Sequence, residues 1–206
     1  MPRLTPERRE AKRAEIVAAA RRCFSRDGFH QTSMPDIAAE AGVSQGAPYR
    51  YFESKDQIVL AIAGDAFRLI FGPVERLAAE AGPASVADLT VAALDALAVE
   101  TVRDAAGHEV PVDELLRCAV QTWSEMLRNE AVRSPAVEGF DSVRRSIAGA
   151  IERGRAAGAV PPAVRPDHAA RVVMGLLHGF LLQRVAFGLT DTARYGADIR
   201  ALLHHP

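Results

Sequence analysis

Apolar residues recur along this chain at intervals of three and four, the spacing that gathers them on one face of a helix. No stretch sustains the alternation of a half-buried strand, and Ala, Leu, Arg and Glu are abundant, so the pattern predicts an all-α fold with no sheet. Breakers mark the element ends at Gly28, Gly42, Gly72-Pro73, Gly82-Pro83, Gly107 to Pro111, Ser134-Pro135, Gly158 to Pro166 and Gly188. About nine helices are predicted between them, near 6–26, 33–40, 44–51, 54–71, 84–105, 111–130, 135–157, 166–187 and 190–203.

In the first helix Ile16, Ala20, Cys23 and Phe24 share a stripe, and Arg9, Arg13, Arg21 and Arg22 are expected off it. Asp27-Gly28 ends the helix. Ser33 is an N-cap with Asp36 near the positive end of the next helix, whose apolar face is Ile37, Ala38 and Ala41. From Ala38 to Ser44 the string Ala-Ala-Glu-Ala-Gly-Val-Ser reads as helix, tight turn, helix: small residues at the crossing, Gly42 for a positive φ, Val43 buried and Ser44 capping. The second of these helices opens with Gln45, Gly46 and Ala47, small or polar residues that let a backbone come close to a groove. Pro48 falls near the first turn, where amides are unpaired anyway; Phe52 turns inward. Tyr49, Arg50 and Tyr51 supply hydroxyl and guanidinium donors beside basic and small residues, as phosphate contact requires; the alternative makes the two tyrosines packing residues of a small three-helix unit.

Thr32 to Ala38, with the run from Gly42 through Gln45-Gly46-Ala47-Pro48-Tyr49-Arg50-Tyr51-Phe52 to Lys55, resembles the tetracycline-repressor-like (TetR) transcriptional regulators. The likeness covers about residues 12 to 65, and beyond it only length and helical pattern agree. It implies a DNA-binding domain over residues 1–55 and a helical effector-binding and dimerisation domain over 56–206. It also implies phosphate contacts from Thr32 or Ser33, Ser44, Tyr49, Tyr51 and Lys55, and base reading by Gln45, Gly46, Ala47 and Arg50. Two positions depart from the family pattern: Gln45 stands where Lys is usual, and Pro48 where Leu or Ile is common. Gln pairs bidentately with adenine, whereas Lys favours guanine and adds a phosphate contact, so the departure predicts a different base preference and a smaller salt slope.

Gly42-Val43-Ser44-Gln45-Gly46 also fits the G-x-S-x-G elbow of hydrolases, but that device needs a strand before its serine, and here a helix is predicted. The histidines, His30, His108, His168, His178, His204 and His205, form no i,i+4 pair and no H-E-x-x-H. No metal, cofactor or catalytic constellation follows. His178 stands out as a polar residue inside an apolar helix, either a satisfied core histidine or a pocket group.

Ser54-Lys55-Asp56-Gln57 resembles a capping box, so the next helix leaves the front unit without a floppy linker and carries Ile58, Ile62, Phe67 and Phe71. Such a helix can act as a lever through which a ligand changes the spacing of paired reading helices. From Val172 to Leu182 nearly every direction around the helix is apolar, which demands burial on two sides. One side is the core; the other is assigned to a second subunit, with Tyr195, Ile199, Leu202 and Leu203 of the last helix, giving a four-helix homodimer interface. Its reading elements would address inverted repeats about 34–36 Å apart. Phe67, Phe71, Trp123, Met126, Phe140, Met174 and His178 either line an apolar effector cavity or belong to the core.

Charge sharpens this picture. Residues 1–55 hold ten Lys/Arg against seven Asp/Glu, while the remainder holds 15 against 19, so a net charge of -1 over 206 residues conceals a basic front and an acidic body. Two cysteines, Cys23 and Cys118, exclude a disulfide framework or a zinc ribbon, and no apolar leader follows the basic start. The apolar runs, split at His178, fall short of the roughly 20 residues that span a bilayer. The expectation is a cytoplasmic, non-enzymatic, ligand-responsive repressor that binds a double-stranded DNA operator, takes a small and mostly hydrophobic effector and touches no membrane. A helical small-molecule-binding protein or body-region enzyme, and an activator or nucleoid-associated protein, are the alternatives. Specific, salt-sensitive binding to the DNA upstream of its own gene separates the first alternative, and the second would differ by lacking one preferred palindrome or by raising transcription.

Overall fold

The computed structural model describes residues 5–80, 82–104 and 106–203. Among these residues the order is α1 (Pro6–Asp27), α2 (Met34–Glu40), a 3₁₀ turn (Pro48–Arg50), α3 (Lys55–Ala79), α4 (Val86–Ala96), β1 (Thr101–Arg103), β2 (Glu109–Pro111), α5 (Val112–Met126), α6 (Glu130–Ala156), α7 (Pro166–Phe187) and α8 (Thr192–Leu203). The fold is helical, as the spacing predicts, with one small sheet that the spacing does not. The chain divides into two compact units, Met1–Ala66 with Thr101–Arg133 and Phe67–Glu100 with Ser134–Pro206.

In the first unit α1 begins where Thr5 caps the Arg8 amide and Pro6 occupies the first turn, and it ends at Gly28, whose φ of 87° suits glycine. Its buried stripe contains Ile16, Ala20, Cys23 and Phe24, as expected, but Arg21 lies on the same side and is only 3% exposed. The expectation that Arg21 stays off that face fails because a segment distant in sequence covers it. The Arg21 guanidinium meets Glu114 at 2.7 Å and Asp104 at 3.2 Å.

Asp104 comes from a hairpin where one long helix over 84–105 was expected. Thr101↔Pro111, Val102↔Val110 and Arg103↔Glu109 pair antiparallel. The turn is closed by the Gly107 amide donating to Asp104 O, by Gly107 at φ 85°, and by the Asp104 carboxylate accepting the Ala106 and His108 amides. Thr-Val-Arg and Glu-Val-Pro around a glycine-bearing turn are a hairpin signal that the helical spacing of the neighbours obscured. α5 follows and packs on α1.

In the second unit α4 starts at a full capping box between Ser85 and Asp88 and packs on α7 and α8. Gly196 lies where a Cβ would come within 3.3 Å of Val91, which fits close approach of α8 to α4. α3 does not stop at Gly72-Pro73 but runs to Ala79 with Pro73 inside it. A proline costs an interior helix about 3 kcal/mol, while complete burial of a large apolar side chain returns about 1.5–3 kcal/mol. Ile70, Phe71 and Val74 are each at most 3% exposed, so core burial outweighs the lost backbone bond. α6 likewise runs through Pro135, starting at Glu130 with Val132 fully buried.

α3 and α7 have the length and composition to cross a bilayer, with mean hydropathy 1.5 and 1.2, although their uninterrupted apolar runs are short. Part of that apolar character is buried, at Ile58, Ile62 and Ile70 in α3 and Val173, Leu177 and Leu181 in α7, while Val172 and Leu182 of α7 are exposed.

Candidate nucleic-acid interface

α2 is seven residues long, and both of its ends are set locally. The Ser33 hydroxyl accepts the Asp36 amide, and the Asp36 carboxylate accepts the Ser33 amide at 2.8 Å and its hydroxyl at 2.6 Å. The capping hydroxyl and amide hold the Asp36 carboxyl below the usual carboxylate range. At the other end the amides of Gly42 and Val43 donate to Ala39 O and Ala38 O, and Gly42 takes φ 63°: a Schellman stop that reverses the chain at once. Ile37 and Ala38 are fully buried, so the helix is fixed against its own unit.

The helix expected over 44–51 is absent. In its place the Ala47 amide donates to Ser44 O at 2.8 Å, and the 3₁₀ turn follows, closed by Tyr51 and Phe52 amides on Pro48 O. Gly46 and the missing amide of Pro48 weaken a longer helix here. Val43, expected buried, is half-buried. Pro48 and Phe52 are buried, and the Arg13 guanidinium stacks 4.7 Å over the Phe52 ring. Around these anchors Ser44, Gln45, Gly46, Tyr49 and Arg50 face solvent, with Tyr49 56% exposed, while Ala47 and Tyr51 are half-buried. This is an outward strip of hydroxyl, amide and guanidinium donors.

The remaining DNA-contact candidates are engaged within the unit. Thr32 is buried, and its hydroxyl donates to Gly28 O at 2.9 Å. The Ser33 hydroxyl serves the capping box, and Lys55 Nζ donates to Phe29 O at 2.5 Å and Thr32 O at 3.0 Å. Arg22 and Arg26 are paired with Glu40, whose carboxyl is held low first by the bond from Arg22. Arg8, Arg9 and Arg50 are exposed and make no ion pair among the described residues. The basic front is therefore smaller in effect than the count of cations suggests. Ser44 follows α2 and not a strand, which removes the hydrolase-elbow geometry.

In the second unit four rings converge. Phe67 and Phe71 lie 4.9 Å apart, Phe140 stands 5.4 Å from Phe67 and 5.8 Å from Phe71, and the His178 ring is 5.4 Å from Phe140. Most meet edge to face, the favoured aromatic geometry. Burial lowers the His178 pKa to about 4, so the imidazole is neutral near pH 7. Met174 is buried one turn earlier on α7. Trp123 and Met126, grouped with these residues by the sequence, belong to α5 in the first unit. On α7, Val172, Gly175 and Leu182 are exposed along one line, and on α8 Leu202 is 81% exposed. His30 pairs with Glu125 at 2.8 Å, His108 lies 3.4 Å from Asp104, and His168 is exposed. His204 and His205 lie outside the described residues, and among those described no cluster could hold a metal ion.

Residues 16–62 match the family model "Bacterial regulatory proteins, tetR family". The chain is 40% identical over 57 residues to the uncharacterized HTH-type transcriptional regulator YfiR of Bacillus subtilis, a match covering 28% of each chain. It is 25% identical over 195 residues to the HTH-type transcriptional regulator UidR of Escherichia coli, covering 93% of this chain and 90% of UidR. Among solved structures it is similar to SmeT, the repressor of the Stenotrophomonas maltophilia multidrug efflux pump SmeDEF, at 26% identity and TM-score 0.66 over 93% of this chain and 87% of that one. SmeT has also been solved in complex with triclosan, with TM-score 0.68 and coverage of 94% and 90%.

Proposed function

We propose that this chain, which belongs to the tetR family of bacterial regulatory proteins, is a dimeric repressor that acts in the cytoplasm and leaves a palindromic operator when a small hydrophobic molecule binds. The observation that carries the reading is the outward strip Ser44, Gln45, Gly46, Tyr49 and Arg50, pinned to its unit by the buried Pro48 and Phe52. In this reading Ser44, Tyr49 and Tyr51 meet phosphates, while Gln45 and Arg50 meet base edges across the small residues Gly46 and Ala47.

The aromatic cluster of Phe67, Phe71, Phe140, Met174 and His178 supports an effector site for an apolar or aromatic molecule, because soft and aromatic walls suit such ligands. Trp123 and Met126 are left out of it. The exposed line Val172, Gly175 and Leu182, with Leu202 on α8, supports pairing of two copies through α7 and α8. The effector need only favour the released state by about 5- to 150-fold.

A mobility-shift assay with the DNA flanking the chain's own gene tests the reading. Specific binding that weakens steeply with salt and survives excess random competitor is expected; equal affinity for all duplexes would reject it.

A further inference from the structure

The loop between α1 and α2 is held by two side chains that arrive from distant parts of the sequence. Phe29 is 4% exposed, and its ring sits edge-on against Phe24 at 4.7 Å. Its backbone amide donates to Gln121 Oε1 at 3.1 Å, and its carbonyl accepts from Lys55 Nζ at 2.5 Å. Each of those side chains has a second grip. Gln121 Nε2 donates to Phe24 O at 2.9 Å, in the last turn of α1, and Lys55 donates to Thr32 O at 3.0 Å, one residue before the cap of α2.

We propose that Gln121 and Lys55 are positioning residues that clamp Phe29 from opposite sides and so set where α2 and the strip 44–50 stand on α1, and that Lys55 does this instead of contacting phosphate. Three features support the assignment. Neighbouring residues provide the other restraints of the loop: Gly28 at φ 87° makes the bend, and the Thr32 hydroxyl closes back on Gly28 O. Gln121 fixes the bend to α5, a helix 92 positions away in the chain, with an amide that uses both its donor and its acceptor. Lys55 places an ammonium on two carbonyls, a charge-assisted arrangement that draws it into the unit. With both peptide groups of Phe29 occupied by side chains, loss of either grip frees the loop without touching the DNA-facing strip.

The proposal rests on the DNA-binding reading, and its test separates the two. The full-length chain and its Gln121→Leu, Lys55→Met and Lys55→Arg variants are titrated, over a range of salt, against a duplex selected by the wild-type chain from a randomised library. Amide hydrogen exchange over residues 28–33 is followed in the same proteins without DNA, with circular dichroism as the check of folding. Faster exchange at 28–33 is expected in Gln121→Leu and Lys55→Met, with affinity lowered about tenfold at an unchanged salt slope. Lys55→Arg should not restore the loop, because a planar guanidinium does not reproduce an ammonium on two carbonyls. Were Lys55 a phosphate contact, Lys55→Met would lower the slope by about 0.9 per subunit and Lys55→Arg would recover it; that result overturns the assignment. Unaltered exchange in Gln121→Leu also overturns it. If the wild type selects no duplex, the DNA-binding reading fails, while the exchange measurement still decides the clamp. If Lys55→Met does not fold, exchange and salt slope in Lys55→Arg decide its role.

Discussion

Arg21 and Asp104, 83 positions apart in the chain, meet at 3.2 Å with both side chains 4% exposed, and Glu114 closes on the same guanidinium at 2.7 Å. Burial disfavours the Asp104 charge, but the amides of His108 and Ala106 and the Arg21 guanidinium outweigh it and hold the carboxyl below its usual range. Removing the cation leaves two carboxylates facing each other beneath α1. Arg21→Met should destabilise the chain by about 3 kcal/mol, since breaking a buried pair strands its partner. Asp104→Asn keeps the turn's shape and the Glu114 partner and should cost less. Urea unfolding of the two variants checks the order, and equal, small losses would show that the network is screened by solvent.

His178 gives a pH signature with a definite sign. Burial lowers its pKa to about 4, against 6.5 for the free side chain, so the unfolded chain takes up a proton before the folded one does. The contribution of neutral His178 is complete above pH 6.5 and is lost as pH falls toward 4, by about 3 kcal/mol across the interval. His178→Phe should flatten the stability curve in that window when unfolding is followed at several pH values. Parallel curves for the variant and the wild type would contradict the burial of the ring.

Pairing through α7 and α8 is tested at Leu182, which is 47% exposed on the line that also carries Val172 and Gly175. A charge there is free to reach water in a single chain but is buried in a dimer, at a cost of several kcal/mol. Leu182→Glu should yield a monomer with near-normal melting behaviour in sedimentation experiments, and operator affinity should fall with it. A dimer that survives the substitution would place the interface elsewhere.

The outward-facing tyrosine offers a separate check. Tyr49→Phe removes only a hydroxyl from a residue 56% exposed, so melting should not move, while DNA affinity should fall by about fivefold for one lost phosphate bond. The half-buried Tyr51 should respond more weakly to the same change. Equal affinity of Tyr49→Phe and wild type would remove Tyr49 from the contact surface.

Much of this was legible in the sequence for local reasons. The Ser33 cap with Asp36 in the first turn, the Gly42 reversal and the inward turn of Phe52 depend on residues within a few positions of one another, and all three occur. The limits of α7, 166–187, follow from Pro166 at its start and Gly188 at its end. What escaped depends on partners far away. Arg21 reads as a surface cation until Asp104 and Glu114 cover it, and Pro73 reads as a stop until the burial of Ile70, Phe71 and Val74 is known. Lys55 carries the charge of a phosphate contact, yet its ammonium sits on two carbonyls. The short 3₁₀ turn at 48–50 stands where a helix was expected, since Gly46 and the missing amide of Pro48 both disfavour a longer helix there.

Footprinting decides whether the strip from Ser44 to Arg50 reads DNA. Wild type and the Gln45→Ala, Arg50→Ala double variant are compared on a selected duplex, with circular dichroism confirming that both are folded. The wild type should protect two inverted half-sites about one helical turn apart, and the double variant should lose this protection but keep weak, salt-sensitive binding to any duplex. Identical footprints from the two proteins would contradict it.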